Sequence, residues 1–116
     1  MGWFSVKVLF ESVHSDAESM DDREKLFEES IIVLQANSAD QAQERAKQHA
    51  DQMQHGYRVL SGDWVEWQFV RVLDVFELIE DRVTDGVEVY ARFIVAQPED
   101  SADDVVERYF PESRDT

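Results

Sequence analysis

The sequence predicts an α+β protein: a β-β-α-β-β antiparallel sheet, one main helix on one face, and a short C-terminal helical segment. Three features support this: strict alternation near the N-terminus, a capped stripe of small residues after Ser38, and a long apolar run from Trp64. With 116 residues the chain has room for one ordinary domain. We expect that domain to span residues 1–97 and an acidic C-terminal extension with a short helix to span 98–116.

The first two strands are predicted from their side-chain periods. From Trp3 to Val13, apolar residues fall on every second position, which is typical of a half-buried strand. Residues 14–25 are polar and acidic, so we expect an exposed loop. A second strand follows from Leu26 to Ala36, around a β-branched run. Together the two segments predict an antiparallel hairpin with a long loop.

The main helix is predicted to begin at Ser38. Ser38 with Gln41 three residues later fits a capping box, in which each side chain accepts a hydrogen bond from a free backbone amide. Apolar residues then recur at helical spacing, and most are small: Ala39, Ala42, Ala46, Ala50 and Met53. Small side chains would let the helix lie close to the sheet. Gly56 is the predicted helix stop.

The segment Trp64 to Ile79 is rich in aromatic and β-branched residues and predicts a central strand that is apolar on both faces. Alternation predicts that one face carries Val65, Trp67, Phe69, Leu73 and Val75, and that the other carries Val70, Val72, Phe76 and Leu78. A turn at Asp85–Gly86 predicts a further strand from Val87 to Val95. After Pro98, Ser101 is the expected cap of a short helix that ends at Pro111.

Charge limits the classes of partner. The formal net charge is −15 at neutral pH, and such a field repels nucleic-acid phosphates, so we expect no nucleic-acid binding. The same field would favour a basic partner protein. No segment approaches the roughly 20 apolar residues of a membrane span, and the N-terminus does not fit a signal peptide. We therefore expect a cytoplasmic protein with no membrane association.

Cofactor and metal chemistry is not indicated. The chain has no cysteine, which excludes disulfides and thiolate metal sites. The acidic loop supplies hard oxygen ligands at Asp16, Glu18, Asp21 and Asp22, and these four are candidate binding residues. Their spacing fails the EF-hand pattern, which requires glycine where Asp21 stands. We therefore predict no metal and no cofactor.

The strand glutamates are the candidates for catalysis, because a carboxyl group among aromatic residues can acquire a raised pKa useful for acid–base chemistry. The residues concerned are Glu11, Glu29, Glu66 and Glu77. The alternative is that they pair across strands with cations, namely Lys7, Arg71 or Arg92. Trp64 and Trp67 are further candidates for binding, since two indoles lining one concavity can hold a cation.

Several motifs resemble a family of small bacterial proteins classified as a domain of unknown function. The similar segments are Trp3-Phe4-x-Val6-Lys7-x-Leu9-Phe10-Glu11-Ser12, Leu26-Phe27-Glu28-Glu29-Ser30-Ile31-Ile32, Val65-Glu66-Trp67-x-Phe69-Val70, Leu73-Asp74-Val75-Phe76-Glu77-Leu78 and Val89-Tyr90-x-Arg92-Phe93. The resemblance spans residues 3–95. It implies a bacterial, cytoplasmic, single-domain protein, and it implies no activity, cofactor or catalytic residue.

Three functions stay open at this point. The first is a non-catalytic interaction domain that forms a homodimer through the sheet face left without a helix, and that also binds a basic partner. The second is a small enzyme that uses the strand glutamates. The third is an acidic inhibitor or immunity-type protein whose loop (Asp16 to Glu24) and tail (Glu99 to Asp115) contact a basic protein.

Overall fold

A computed structural model describes residues 1–14, 26–60, 62 and 64–113. Within these ranges the chain forms an antiparallel sheet with one main helix, followed by a short C-terminal helix, and the predicted α+β class is confirmed. The elements are β1 (Gly2–His14), β2 (Phe27–Ala36), α1 (Ala39–Met53), β3 (His55–Arg58), β4 (Trp64–Glu77) and α2 (Ala102–Tyr109), with a 3-10 turn at Pro111–Ser113.

The sheet has four strands in the order β2-β1-β4-β3, and every pairing is antiparallel. The predicted hairpin of the first two strands is present, with Gly2 opposite Ala36 and Glu11 opposite Phe27. β3 pairs only with residues 64–67 of β4. The remaining length of β4 therefore pairs with β1 on one side alone.

The core lies between α1 and one face of the sheet. Phe4, Val6, Val8 and Phe10 of β1 are buried, as their alternation predicts. The helix contributes Ala42, Ala46 and Ala50, which are each 0% exposed. Because these side chains end at Cβ, the helix backbone lies close to β1 and β2.

The start of α1 is the predicted cap with one difference. Ser38 Oγ accepts a hydrogen bond from the Gln41 amide, as expected. The Gln41 side chain accepts from the amide of Asn37, one residue before the cap, and not from Ser38 itself. Side chains at the start of α1 thereby accept hydrogen bonds from the amides of Gln41 and Asn37.

The predicted helix stop at Gly56 is wrong. α1 ends at Met53, with Gln54 as the extended capping residue, and Gly56 lies within β3. The Gln54 side chain accepts a hydrogen bond from the Phe69 amide at 2.8 Å. This contact with β4 ends the helix by a tertiary interaction, and no left-handed glycine is needed.

The predicted strict alternation of β4 is wrong for residues 70–73, because the strand carries two β-bulges there. Its register against β1 skips Val70 and Leu73. Each extra residue reverses the side-chain alternation that follows. Consequently Val72 packs on the core with Trp67, Phe69 and Val75, while Leu73 is 43% exposed.

The predicted strand from Val87 to Val95 does not form. The strand between α1 and β4 is instead β3, so the β-β-α-β-β order is completed by a different segment. The bulges at Val70 and Leu73 interrupt the edge of β4 where a further strand would pair. Residues 87–90 cross the sheet face opposite α1, where the Val89 carbonyl accepts a hydrogen bond from Ser5 Oγ.

Residues 79–113, here called the arm, follow the last buried residue, Leu78. The structure describes all of them, and none is buried. The turn predicted at Asp85–Gly86 is present, with the Val87 amide bonded to the Thr84 carbonyl at 3.0 Å. The predicted C-terminal helix is also confirmed: Ser101 caps α2 through a capping box with Asp104.

Candidate functional site

The sheet face opposite α1, here called the outer face, carries the polar and apolar groups that are available for function. Alternation along β1 places Trp3, Ser5, Lys7, Leu9 and Glu11 on it, since Phe4, Val6, Val8 and Phe10 point to the core. β2 adds Glu29, Ile31 and Val33, which pair in register with Leu9, Lys7 and Ser5. The arm covers only part of this face.

A polar cluster lies where the arm crosses the outer face. Lys7 Nζ is 3.2 Å from Glu29 Oε1 and 4.1 Å from the centroid of the Tyr90 ring. Tyr90 donates a hydrogen bond from its hydroxyl to Asp74 Oδ2 at 3.1 Å. The other oxygen of Asp74 accepts from the Val75 amide at 2.9 Å. Three strands and the arm are thereby joined by one network.

This network borders an open depression of about 360 Å³. Its lining residues are Lys7, Glu29, Leu73, Asp74, Tyr90 and Arg92. The depression is shallow and carries both signs of charge. Because the carboxylates of Glu29 and Asp74 have partners within the network, the arrangement holds the arm on the sheet and leaves little capacity for a charged ligand.

The protonation of Lys7 bears on chemistry at this site. Burial lowers the pKa of Lys7, but contacts with Tyr90 and Glu29 outweigh it and raise the pKa above its ordinary value. A lysine that acts as a base or forms a Schiff base requires the opposite shift. Lys7 therefore serves as a fixed cation that binds Glu29 and the Tyr90 ring.

The four predicted catalytic glutamates are separated by the sheet. Glu29 contacts Lys7, as the cross-strand alternative anticipated. Glu11 and Glu66 lie on the outer face towards the opposite end of β1, where Gln68 donates a hydrogen bond to Glu66 at 3.4 Å. Glu77 is in register with Phe4, on the helix side of the sheet. Of the four, Glu29 alone lines the depression.

The two predicted binding tryptophans lie on opposite faces of β4, since they are three positions apart in a regular stretch. Trp67 packs against the core, and its indole nitrogen is 3.4 Å from the Tyr57 hydroxyl. Trp64 lies over Gly56 on the outer face, 5.8 Å from the Arg58 guanidinium. The two indoles do not form a shared cage. The acidic candidates Asp16, Glu18, Asp21 and Asp22 lie outside the described residues.

Tyr90 is a member of the network that sequence reasoning missed, and its hydrogen bond to Asp74 was likewise not predicted. Asp74 interrupts an apolar run, and that interruption was the available signal for a partner. The sequence predicts a strand at Tyr90, and no local pattern predicts its position over Lys7. Only the path of the arm across the outer face brings these residues together.

A second feature of the molecule is exposed apolar surface on β2 and on the arm. On the edge strand β2, Phe27, Ile31 and Val33, here called the β2 stripe, are 54%, 45% and 38% exposed. In the arm, Ile79, Phe93 and Val95 are 88%, 99% and 87% exposed. Large exposed apolar patches are typical of surfaces that bind other proteins.

The distal part of the arm is held together by its own contacts. Arg108 binds Asp100 with an N–O distance of 3.2 Å. That bond, together with one from the Gln97 amide, lowers the pKa of Asp100. The Arg92 guanidinium lies 5.8 Å from the Phe110 ring centroid. The arm is therefore ordered by local polar contacts, while its apolar side chains face outward.

Among the described residues, no group of three or more histidine, aspartate or glutamate side chains is placed to hold a metal ion. In that same part of the chain, no helix is long and apolar enough to cross a membrane.

Comparison with protein-family models matches residues 3–91 to a domain of unknown function, DUF4288. The matched range contains the sheet, α1 and the arm as far as the Tyr90 contact, and it ends before α2. No curated protein and no solved structure matches the chain.

Proposed function

Since the chain belongs to DUF4288, a family of unknown function, we propose from its surfaces that it is a non-catalytic, self-associating protein-interaction domain. The observation that carries this proposal is the exposure of apolar side chains on both the β2 stripe and the arm. Water contact with such surface is unfavourable by about 25 cal/mol for each Å². Burial against another protein would remove that cost.

The electrostatics of the outer face support a binding role over a catalytic one. Acid–base catalysis requires groups whose pKa values are matched to the reaction and that share a pocket. Lys7 is held protonated, and Glu11, Glu66 and Glu77 lie outside the depression that Glu29 lines. A cluster of this kind supports a structural role, in which it fixes the arm to the sheet.

For the domain organisation and the location, we keep the expectations from the sequence as proposals. We propose that residues 1–97 act as the domain, that 98–116 form its acidic extension, and that the protein works in the cytoplasm. In the structure, the sheet and α1 are complete by Glu77.

Sedimentation velocity of the full-length chain over a wide concentration range tests self-association. We expect a homodimer whose population rises with protein concentration. A strict monomer at the highest concentration would overturn the proposal, because the apolar surfaces would then not be buried by a second copy of the chain.

A basic partner protein is a second candidate, favoured by the net charge of −15 and by the excess of acidic residues in the arm. A field of this sign accelerates encounter with a basic surface. Here the protein would act as an adaptor or as an acidic inhibitor.

Capture with a charge-reduced variant tests the second candidate. The variant Glu99→Gln/Asp103→Asn/Glu107→Gln keeps Asp100 and Asp104, which hold α2. A basic protein that binds wild type and elutes at moderate salt, but does not bind the variant, supports this role. Equal retention on both proteins contradicts it.

A further inference from the structure

The β2 stripe and the arm belong to the same chain, and we propose that they are the two halves of one interface. In this arrangement, the arm of each copy covers the β2 stripe of a second copy. The inference rests on the proposed self-association and names the surfaces that carry it.

The exposed area of the chain is large enough for such an interface. The surface is 8760 Å², about 2,200 Å² more than the roughly 6,500 Å² typical of a folded monomer of 13.5 kDa. A standard interface buries about 800 Å² on each partner. An interface of standard size would therefore bury only about a third of this excess exposed area on each copy.

The radius of gyration agrees with the large exposed area. The Cα radius of gyration is 18.2 Å, whereas a compact chain of this length has about 13 Å. Since α2 packs mainly on the 3-10 turn that follows it, its apolar side has no extensive contact with the sheet of its own chain.

The arm is fixed beside the β2 stripe but does not cover it. Ser5 and Lys7 hold the arm at Val89 and Tyr90. These two β1 residues are in register with Val33 and Ile31 of the stripe. The stripe nevertheless stays exposed, and so do Phe93 and Val95 of the arm.

A second copy fits these surfaces better than a basic protein does. Both surfaces are apolar at their centres, and the nearest charge on β2, Glu29, contacts Lys7. Aromatic and apolar residues dominate the centres of interfaces, whereas charged residues belong to their rims. Because each copy has one arm and one β2 stripe, a two-fold dimer would place the arm of each copy on the β2 stripe of the other.

The absence of cysteine in the natural chain allows a direct test. One full-length variant carries Ala96→Cys in the arm, and a second carries Val33→Cys in the stripe. The two are mixed and treated with a short thiol-specific crosslinker, so that a covalent pair of the two variants can form only between chains. Met53→Cys, exposed on α1 at the other side of the sheet, replaces Val33→Cys in the control mixture.

Sedimentation of the double variant Phe93→Ser/Val95→Ser complements the crosslinking. Both side chains are almost fully exposed, so the monomer should fold normally, and we expect dimer affinity to fall about tenfold or more. Leu60→Ser is the matched control, since it removes an equally exposed apolar side chain outside the arm and the stripe.

The outcomes separate the two proposals. A crosslink between positions 96 and 33, together with weaker dimerisation of the double variant and normal dimerisation of Leu60→Ser, supports the proposal that the arm of one copy covers the β2 stripe of the other. If the wild type dimerises and the double variant dimerises equally well, or if position 96 crosslinks equally to position 53, this proposal is wrong and self-association still stands. A monomeric wild type overturns both proposals.

Discussion

The indole of Trp64 lies directly against the backbone of Gly56. A Cβ atom placed on Gly56 would be 2.7 Å from Trp64 Cε2 and 2.9 Å from its Nε1, closer than non-bonded atoms approach. The backbone of Gly56 is not left-handed, so this contact, and not a special dihedral angle, is the reason for glycine in β3.

The substitution Gly56→Ala should therefore displace the indole and destabilise the fold by about 1–3 kcal/mol. Urea unfolding measures the loss, and near-UV circular dichroism reports the movement of the ring. Gly2→Ala is the control, because a Cβ there makes ordinary contacts of 3.7 Å. A stable variant with an unchanged indole signal would contradict the close packing.

The stripe of small residues on α1 predicts a second stability effect. Ala46 is fully buried against the sheet, whereas Ala39 at the start of the helix is exposed. Ala46→Leu should destabilise the protein by about 1–3 kcal/mol, because the added atoms force α1 away from β1. Ala39→Leu, compared in the same urea titration, should change stability by less than about 0.5 kcal/mol. Equal effects would argue against close helix–sheet contact.

The Lys7 contacts predict a stability effect with a defined pH dependence. Lys7→Met removes the ion pair with Glu29 and the contact with the Tyr90 ring, and should cost about 1 kcal/mol. Because the folded pKa of Lys7 is raised, this contribution is fully present below the ordinary pKa of 10.5 and is lost as pH rises through the folded value. Urea unfolding of both proteins from neutral to strongly alkaline pH measures the difference.

Lys47→Met is the matched control for Lys7. Lys47 pairs with Glu44 on the surface of α1, where both side chains are well exposed. Its removal should change stability by less than about 0.5 kcal/mol at every pH. An equal loss in both variants would mean that Lys7 behaves as an ordinary surface cation.

The Asp100–Arg108 pair predicts acid sensitivity of the distal arm. The folded pKa of Asp100 is lowered by Arg108 and by the Gln97 amide. The pair therefore contributes stability above the ordinary pKa of 3.8, and that contribution is lost as pH falls through the folded value. The protection of the α2 amides from exchange, relative to the intrinsic exchange rate at each pH, should fall on acidification. In Asp100→Asn the same loss of protection should be present already at neutral pH. Unchanged exchange in Asp100→Asn would disprove the role of this pair.

Salt provides a prediction that distinguishes the two kinds of partner. Two copies that each carry a net charge of −15 repel each other, and added salt screens that repulsion. The dimer should therefore tighten as ionic strength rises, whereas a complex with a basic protein should weaken. Sedimentation velocity at low and high salt measures the direction. A dimer that dissociates in salt would indicate attractive charge contacts in place of the apolar surfaces proposed here.

Local chemistry made several elements predictable. The alternation of β1, the cap at Ser38 and the cap at Ser101 are each specified by neighbouring residues, and each is present in the structure. Of the predicted stripe on α1, Ala42, Ala46 and Ala50 are buried as expected, whereas Ala39 and Met53, at the two ends of the helix, are exposed. These features depend on side-chain period and on hydrogen bonds within a few residues, which a sequence contains directly.

Other features were decided only in three dimensions. The bulges at Val70 and Leu73 arise in the pairing with β1, and they exchanged the predicted faces of Val72 and Leu73, while Val75 kept its predicted face. Residues 87–95 have the composition of a strand, yet a strand also requires a regular edge to pair with, and the arm instead crosses the outer face. The contact of Tyr90 with Lys7 joins residues far apart in sequence. The sequence by itself therefore determined the α+β class, the caps and the core stripe, while tertiary pairing decided the register, the path of the arm and the surfaces left exposed.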